Sequence, residues 1–366
     1  MSENKIKLNR IDHLEFYVGN AKQCAFYYQY GLGFKLTAYS GLETGSKDKT
    51  SYLLEQGKIK FILSSPLNSN HPISEHIRKH GDGVKDIAFE VDDAIFCYEE
   101  ALRRGAQSAS DPVTLKDDNG EIIKASIKTY GETIHSFIER KNYNGVFMPG
   151  FIPAGDRAIK GIKETGLVAI DHIVGNVELG GMNKWAEFYR NVLGFDRLIS
   201  FDDKDISTEY TALMSIVMQN DTGKVKFPIN EPAKGKRKSQ IEEYLDFYES
   251  PGVQHIAMIT GNIIETVTAL RERGVDFLTV PKTYYDDVLN RVGKIDEDLK
   301  PLSELGILID RDEDGYLLQI FTKPVEDRPT LFFEVIQRKG AKSFGKGNFK
   351  ALFEAIEREQ ALRGTL

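Results

Sequence analysis

The triplet Ile170-Asp171-His172 repeats Ile11-Asp12-His13, and the two open related halves of the chain. Behind each lies an aromatic-rich stretch that reads as a helix and ends in a leucine-glycine-phenylalanine turn. The first runs through Phe26, Tyr27 and Tyr28 to Leu32-Gly33-Phe34, the second through Trp185, Phe188 and Tyr189 to Leu193-Gly194-Phe195. Further on, Gly83-Val84-Lys85-Asp86-Ile87-Ala88 is answered by Gly252-Val253-Gln254-His255-Ile256-Ala257. Helices follow both and close at Leu102-Arg103-Arg104-Gly105 and Leu270-Arg271-Glu272-Arg273-Gly274. Glycine stops a helix there because it enters the left-handed conformation at little cost. Such repeats settle architecture before any single motif does. The reading is two related halves, each with two sub-repeats.

Each sub-repeat reads as strand, helix, then several strands, an α+β arrangement. Short apolar runs such as residues 316–321 and 331–336, bounded by glycine, proline and acidic turns, supply the strands. Asn119-Gly120 and Asp314-Gly315 mark late hairpins. Residues 144–156 hold three glycines and two prolines and read as the linker between an N-terminal domain, residues 1–150, and a C-terminal domain, residues 151–366. After Gly347 comes a terminal helix, with Asn348 at its N-cap. Phe349, Leu352, Phe353 and Ile356 form one apolar face at i, i+3, i+4 and i+7.

Bulk properties narrow the function. At 366 residues the chain has room for two domains with cores of their own. A net charge of -7 speaks against a general attraction to nucleic acid or anionic membrane. The short basic run Lys234-Gly235-Lys236-Arg237-Lys238 reads accordingly as a solvated loop. Two cysteines, Cys24 and Cys97, exclude a disulfide scaffold and fit a reducing compartment. The polar start MSENKIKLNR lacks a signal-peptide pattern, and no apolar run approaches the roughly 18 residues of a membrane span. The expectation is a soluble, cytoplasmic protein.

A lone histidine in a strand is usually structural, and a lone glutamate there is usually an exposed polar face. Context changes this for three residues. His172 and His255 hold matching places on the first strands of sister modules, where a pseudo-twofold brings them together. Glu334 sits in Leu331-Phe332-Phe333-Glu334-Val335-Ile336, apolar on both sides, and a carboxylate buried there needs a partner. Two imidazoles and one carboxylate leave three coordination positions open, the set expected of oxygen-activating iron(II), Fe2+. A 2-oxo acid chelates through two oxygens and leaves a place for dioxygen. A structural zinc site would be closed and richer in cysteine. The N-terminal half has His13, Asp86 and Ser136 at the matching places, so its site is incomplete and His13 reads as a remnant. His71, His76, His80 and His135 read as structural or surface residues.

The chain resembles the 4-hydroxyphenylpyruvate dioxygenase family over essentially its whole length. The matching segments are residues 171–176, Pro228-Ile229-Asn230-Glu231-Pro232, Lys238-Ser239-Gln240 and residues 252–257, then the long stretches GYLLQIFTKP at 315–324 and RPTLFFEVIQR at 328–338. The resemblance implies the vicinal-oxygen-chelate (glyoxalase-like) architecture: tandem βαβββ modules forming two half-open β-barrel domains, iron in the C-terminal one only, and a C-terminal lid helix. It implies oxidation of 4-hydroxyphenylpyruvate by dioxygen to homogentisate and carbon dioxide, a step of tyrosine and phenylalanine breakdown, in a homo-oligomer with a dimer favoured. It also implies that Ser215, Asn230 and Gln240 orient the substrate and that Gln319 lies beside the metal and the oxo-acid carboxylate. Pro228, Phe321, Phe332, Phe344 and Phe349 become pocket walls. Gln254 matches as well, but as the strand neighbour of His255 it should face the opposite way and act at most through another residue.

Three rivals remain. Hydroxymandelate synthase shares fold, ligands and substrate but hydroxylates the benzylic carbon, and it resembles the Pro228-Ile229-Asn230 segment less. A non-catalytic binding protein on the same fold has no need of a triad with open positions. A glyoxalase-type isomerase is expected to use further protein ligands.

Overall fold

In the computed structural model, which describes residues 5–202 and 208–366, each half consists of two strand-helix-three-strand modules joined by a helix. The first module is β1 (Arg10–Tyr17), α1 (Ala21–Tyr30), β2 (Lys35–Ser40), β3 (Lys49–Gln56) and β4 (Ile59–Pro66). Helix α2 (Pro72–His80) leads to β5 (Gly83–Glu90), α3 (Ala94–Arg103), β6 (Ser108–Asp117), β7 (Gly120–Lys128) and β8 (Ile134–Tyr143), and a short β9 (Ile152–Pro153) follows. The second half repeats the plan with β10 (Leu167–Asn176), α4 (Met182–Leu193), β11 (Asp196–Phe201), β12 (Ala212–Gln219) and β13 (Lys226–Ala233). Helix α5 (Gln240–Tyr248) leads to β14 (Gly252–Thr260), α6 (Ile263–Glu272), α7 (Val288–Val292), α8 (Leu299–Leu305), β15 (Leu308–Asp312), β16 (Gly315–Phe321) and β17 (Phe332–Lys339). Helix α9 (Phe349–Arg363) closes the chain.

The local chemistry explains the starts and stops. Asn20, Asp93 and Asn262 accept hydrogen bonds from the third backbone N–H of α1, α3 and α6, which removes one orphan donor from each helix. Ser239 and Glu242 form a capping box on α5. One sequence expectation needs correcting. Asn348 stands at the start of α9 but does not cap it, because a 3-10 turn precedes the helix and its side chain instead accepts from the Tyr284 hydroxyl at 2.6 Å.

Each half is one curled sheet, a half-open barrel. The strand orders are β6-β7-β8-β5-β1-β4-β3-β2-β9 and β11-β12-β13-β10-β14-β17-β16-β15. The first strands of the two modules pair antiparallel at each centre, β1 with β5 and β10 with β14. Parallel neighbours flank them. This pairing is the pseudo-twofold implied by the repeats. The segment at 144–156 is stitched to the first sheet, with Ile152 and Pro153 opposite Tyr39 and Ala38. The halves share one core in which Phe333 meets Tyr28 and Phe61. A separate apolar cluster fills the space between the second sheet and α9.

Candidate active site

The pseudo-twofold sets His172 on β10 and His255 on β14 side by side, and β17 pairs parallel to β14 with Glu334 opposite Ala257. Nε2 of His172 lies 3.2 Å from Glu334 Oε2, and Nε2 of His255 lies 3.5 Å from the same oxygen. All three side chains are buried, with their donor atoms within 4.8 Å of one another. Strand alternation turns Phe332 and Glu334 to this side and sends Phe333 into the core between the halves.

Both histidines are oriented through Nδ1, and β-bulges supply the partners. In the β10/β14 ladder, His172 pairs with Ala257 and Ile170 with Met258, so Asp171 is an extra residue. His255 pairs with Val174 and Val253 with Gly175, so Gln254 is a second one. A bulge lets two consecutive side chains turn the same way. Asp171 thereby accepts from His172 Nδ1 at 2.8 Å, and Gln254 Oε1 accepts from His255 Nδ1 at 3.2 Å. The expectation that Gln254 faces away is thus wrong. With Nδ1 held in each ring, Nε2 is the nitrogen that faces Glu334, the one a metal-binding histidine would offer. Sequence reading also missed Asp171, although its signal was present in the doubled Ile-Asp-His.

Electrostatics follow the geometry. Burial opposes charge on Glu334, but the two imidazoles outweigh it and hold its pKa at about 2. Burial likewise opposes charge on His172, yet Glu334 and Asp171 raise its pKa. For His255 burial wins and the pKa falls. Asp171 stays well below the carboxylate range despite burial, because Arg338 donates to both its oxygens at 2.8 Å and His172 to one.

A pocket opens beside the triad, and all nine other residues assigned from the sequence border it: Ser215, Pro228, Asn230, Gln240, Gln319, Phe321, Phe332, Phe344 and Phe349. Ser215 and Asn230 face each other on β12 and β13. Gln240 opens α5 and accepts from Gln254 at 3.4 Å. Gln319 is buried on β16, and its Oε1 has no hydrogen-bond partner among the described residues. Gly345 passes directly over it with φ +77°, and a side chain there would meet Gln319 Oε1 at 2.4 Å. Phe332 stacks on the His255 ring at 4.7 Å, and Phe344 meets His172 edge-on at 5.0 Å. Phe349 packs edge-on against Phe201 at 5.0 Å. Val174, Phe201, Leu213, Val217, Gln254, Leu352 and Phe353 complete the lining. Helix α9 is fastened over it by Arg363 on Glu243 at 2.9 Å and Lys323 on Glu359 at 2.9 Å.

The matching place in the N-terminal half is filled with polar contacts. His13 is held by Asp12 at 2.5 Å, and Asp86 accepts from Ser136 and from Lys124 at 3.0 Å. His135 is satisfied by Tyr189 at 2.8 Å and by the Ile87 carbonyl, and His71 caps α2. The basic run at residues 234–238 is exposed. Among the described residues no helix is long and apolar enough to cross a membrane.

Comparison with known proteins agrees with this geometry. Residues 169–320 match the Glyoxalase/Bleomycin resistance protein/Dioxygenase superfamily, and residues 2–148 match the family described as Hydroxyphenylpyruvate dioxygenase, HPPD, N-terminal. A 4-hydroxyphenylpyruvate dioxygenase of Coccidioides posadasii is 52% identical over 374 residues, covering 97% of this chain and 94% of that protein. The protein of that name from Dictyostelium discoideum is 50% identical over 363 residues, covering 97% and 99%. Among solved structures, a triple mutant of 4-hydroxymandelate synthase from Streptomyces coelicolor superposes with a TM-score of 0.86 at 31% identity, covering 96% of this chain and 99% of that one.

Proposed function

The chain belongs to the 4-hydroxyphenylpyruvate dioxygenase family, and from that premise we propose that iron(II), held by His172, His255 and Glu334, is the metal with which it converts 4-hydroxyphenylpyruvate and dioxygen to homogentisate and carbon dioxide. One observation carries the assignment of the site. Three buried donor atoms converge within 4.8 Å, and both histidines are already oriented through Nδ1. That donor set fits iron(II) with open positions. Bound there, iron(II) would offer those positions to the oxo acid and to dioxygen, and decarboxylation of the oxo acid would supply electrons for the reduction of dioxygen.

The chain's own groups bind and position. The amide of Gln319, whose oxygen is unpartnered among the described residues and exchanges places with the nitrogen by a flip, donates to the substrate carboxylate. Ser215, Asn230 and Gln240 hold the phenol, which needs such partners once buried. Phe321, Phe332 and Phe344 fix the ring plane, and Pro228 walls the strand side. Phe349 on α9 keeps water out. Holding the ring within reach of the reacting atoms lowers the entropic part of the barrier. The relatives near half identity carry the dioxygenase name, while the synthase stands at 31%, which favours attack on the ring over the benzylic carbon.

A cytoplasmic homo-oligomer, with a dimer favoured, completes the proposal. Cys24 and Cys97 are both free thiols, as suits a reducing compartment. Phe26 and Tyr30 stack on each other at the exposed face of α1, an apolar pair of the kind that a partner subunit covers. The test is anaerobic loading with iron(II), exposure to oxygen and chromatography of products. Homogentisate is expected. Hydroxymandelate, unchanged substrate, or equal turnover with zinc or manganese would refute the proposal.

A further inference from the structure

A second cluster of metal-binding side chains lies where the linking helices of the two halves meet. His76 and His80 are one turn apart on α2 and share a face. Glu132 reaches them from the turn between β7 and β8. Both histidines are buried, with ring centres 4.7 Å apart. Glu132 Oε2 stands 3.2 Å from His80 Nε2 and 3.9 Å from His76 Nδ1, and the three donor atoms lie within 4.8 Å of one another. Around a zinc ion with bonds of ~2.0–2.1 Å, tetrahedral ligand atoms lie about 3.3 Å apart. The cluster needs only a small contraction to meet that.

Three features point to an ion rather than to plain packing. His80 Nδ1 donates to the carbonyl of Tyr248, so Nε2 is the nitrogen left to face Glu132 Oε2 at 3.2 Å, and that contact needs a proton or a metal ion between the two atoms. Both ring nitrogens of His76 are buried without a hydrogen-bond partner, whereas buried polar atoms are satisfied as a rule. Glu132 is also held in place independently. Its Oε1 accepts from Lys79 at 3.0 Å and its backbone carbonyl accepts from Lys85, which leaves Oε2 available. The preceding residue, Gly131, has φ +59° and lies against the Pro251 carbonyl, 2.1 Å from where a Cβ would sit. The turn is thus seated on the other half.

We propose that His76 Nδ1, His80 Nε2 and Glu132 Oε2 bind a divalent metal of the zinc class, with water in the fourth position, as a clip at the junction of the halves. Two imidazoles select zinc, nickel or copper over magnesium and calcium. Lys79 and Lys85 strengthen that choice, since they oppose hard cations that bind by charge alone. The clip acts across the halves because His80 stacks on Tyr248 of α5 at 4.5 Å and bonds to its carbonyl.

The test is titration of the metal-free full chain with zinc(II) against a chromophoric chelator. The wild type should take up two equivalents, one at each cluster. Glu132→Gln and His76→Gln should each remove the second equivalent or weaken it at least about tenfold, and Glu132→Gln should keep its iron-dependent turnover. In His255→Ala, zinc should still raise the melting temperature, an effect lost when Glu132→Gln is added. A single zinc equivalent in the wild type overturns the proposal, as does a second equivalent that survives both substitutions unweakened. The wild-type comparison does not depend on His255→Ala being well folded.

Discussion

Replacing Asp171 with asparagine separates what the Arg338–Asp171–His172 chain does for the metal from what it does for the fold. Asp12 provides the control, because it links Arg140 to His13 in the same way at 2.6, 2.7 and 2.5 Å but serves no triad. Asparagine keeps one acceptor oxygen and loses the charge. Its NH2 then faces the guanidinium in either orientation, and in one of them the imidazole as well, both donors. Breaking a buried ion pair from one side costs about 3–5 kcal/mol. Arg338 keeps its bonds to the Ala341 and Ser343 carbonyls at 3.1 and 2.7 Å, so the lower end, about 3 kcal/mol, is expected for both variants. Losing the partner that orients a metal-binding imidazole typically lowers affinity by about 10–100-fold, or about 1.4–2.7 kcal/mol. Only Asp171→Asn should show that loss. Urea unfolding of the metal-free proteins measures the first quantity, and anaerobic chelator competition for iron(II) measures the second. Unchanged iron affinity in Asp171→Asn, or an equal loss in Asp12→Asn, would refute the reasoning.

Other substitutions test the remaining assignments. Glu334→Gln should lower iron affinity by more than about 100-fold, beyond any change of an orienting partner, with the fold largely kept; full iron occupancy and turnover would remove Glu334 from the site. His13→Asn should leave metal content unchanged under iron(II) loading, and loss of one iron per chain would contradict the incomplete N-terminal site. Phe349→Ala, and separately truncation of Ser215, Asn230 or Gln240, should leave iron bound while homogentisate per dioxygen consumed falls; unaltered coupling in all of them, by oxygen electrode and chromatography, would dismiss the pocket reading. Metal-free protein should be most stable near pH 6.5, the ordinary imidazole value. Burial lowers the pKa of His255, and of His135 to about 4, so the unfolded chain binds more protons below that pH and stability rises toward it. His172 is raised by Glu334 and Asp171 despite burial, so its contribution is lost as pH climbs further. His172→Asn should shrink the falling limb just above the imidazole value, and an unchanged limb in that variant would refute the assignment.

The repeat made the modules legible, because Ile-Asp-His and the paired Gly-Val segments recur at matching places. The triad was legible for the same reason, since sister strands related by a twofold bring their equivalent residues together. What stayed hidden depends on departures from regularity. Strand alternation turns Gln254 away from His255, and only the bulge reverses that. Asn348 looks like a cap, but Tyr284, far off in sequence, claims its side chain. Helix α2 reads as polar, with His76 and His80 among Glu75, Arg78 and Lys79 and no sign of a metal site. Both histidines are buried because the helix docks near α5 of the other half, where His80 stacks on Tyr248. That contact spans 168 residues of sequence separation, and no local pattern announces it.

The two half-barrels solve one electrostatic problem in different ways. Each points a carboxylate into a buried space beside a histidine on its first strand, and a buried charge must be compensated. In the C-terminal half, Glu334 faces two imidazoles, and a divalent metal suits the gap between them. In the N-terminal half, Asp86 replaces the second histidine and Ser136 the glutamate, so no set of donors remains. There the compensation comes from Lys124, whose ammonium lies 3.0 Å from Asp86 and keeps its charge because Asp86 and Glu15 outweigh the burial that opposes it. The registers identify its counterpart. Ser126 pairs with Ser136 as Phe321 pairs with Glu334, so Lys124, two residues earlier, matches Gln319. One side of the same position therefore carries a fixed cation and the other a neutral amide with an unpartnered oxygen. A lysine at that point satisfies its barrel permanently, whereas an amide leaves room for a metal and a substrate carboxylate. At this one place the N-terminal barrel balances its carboxylate with a fixed cation, and the C-terminal barrel faces its carboxylate with two imidazoles.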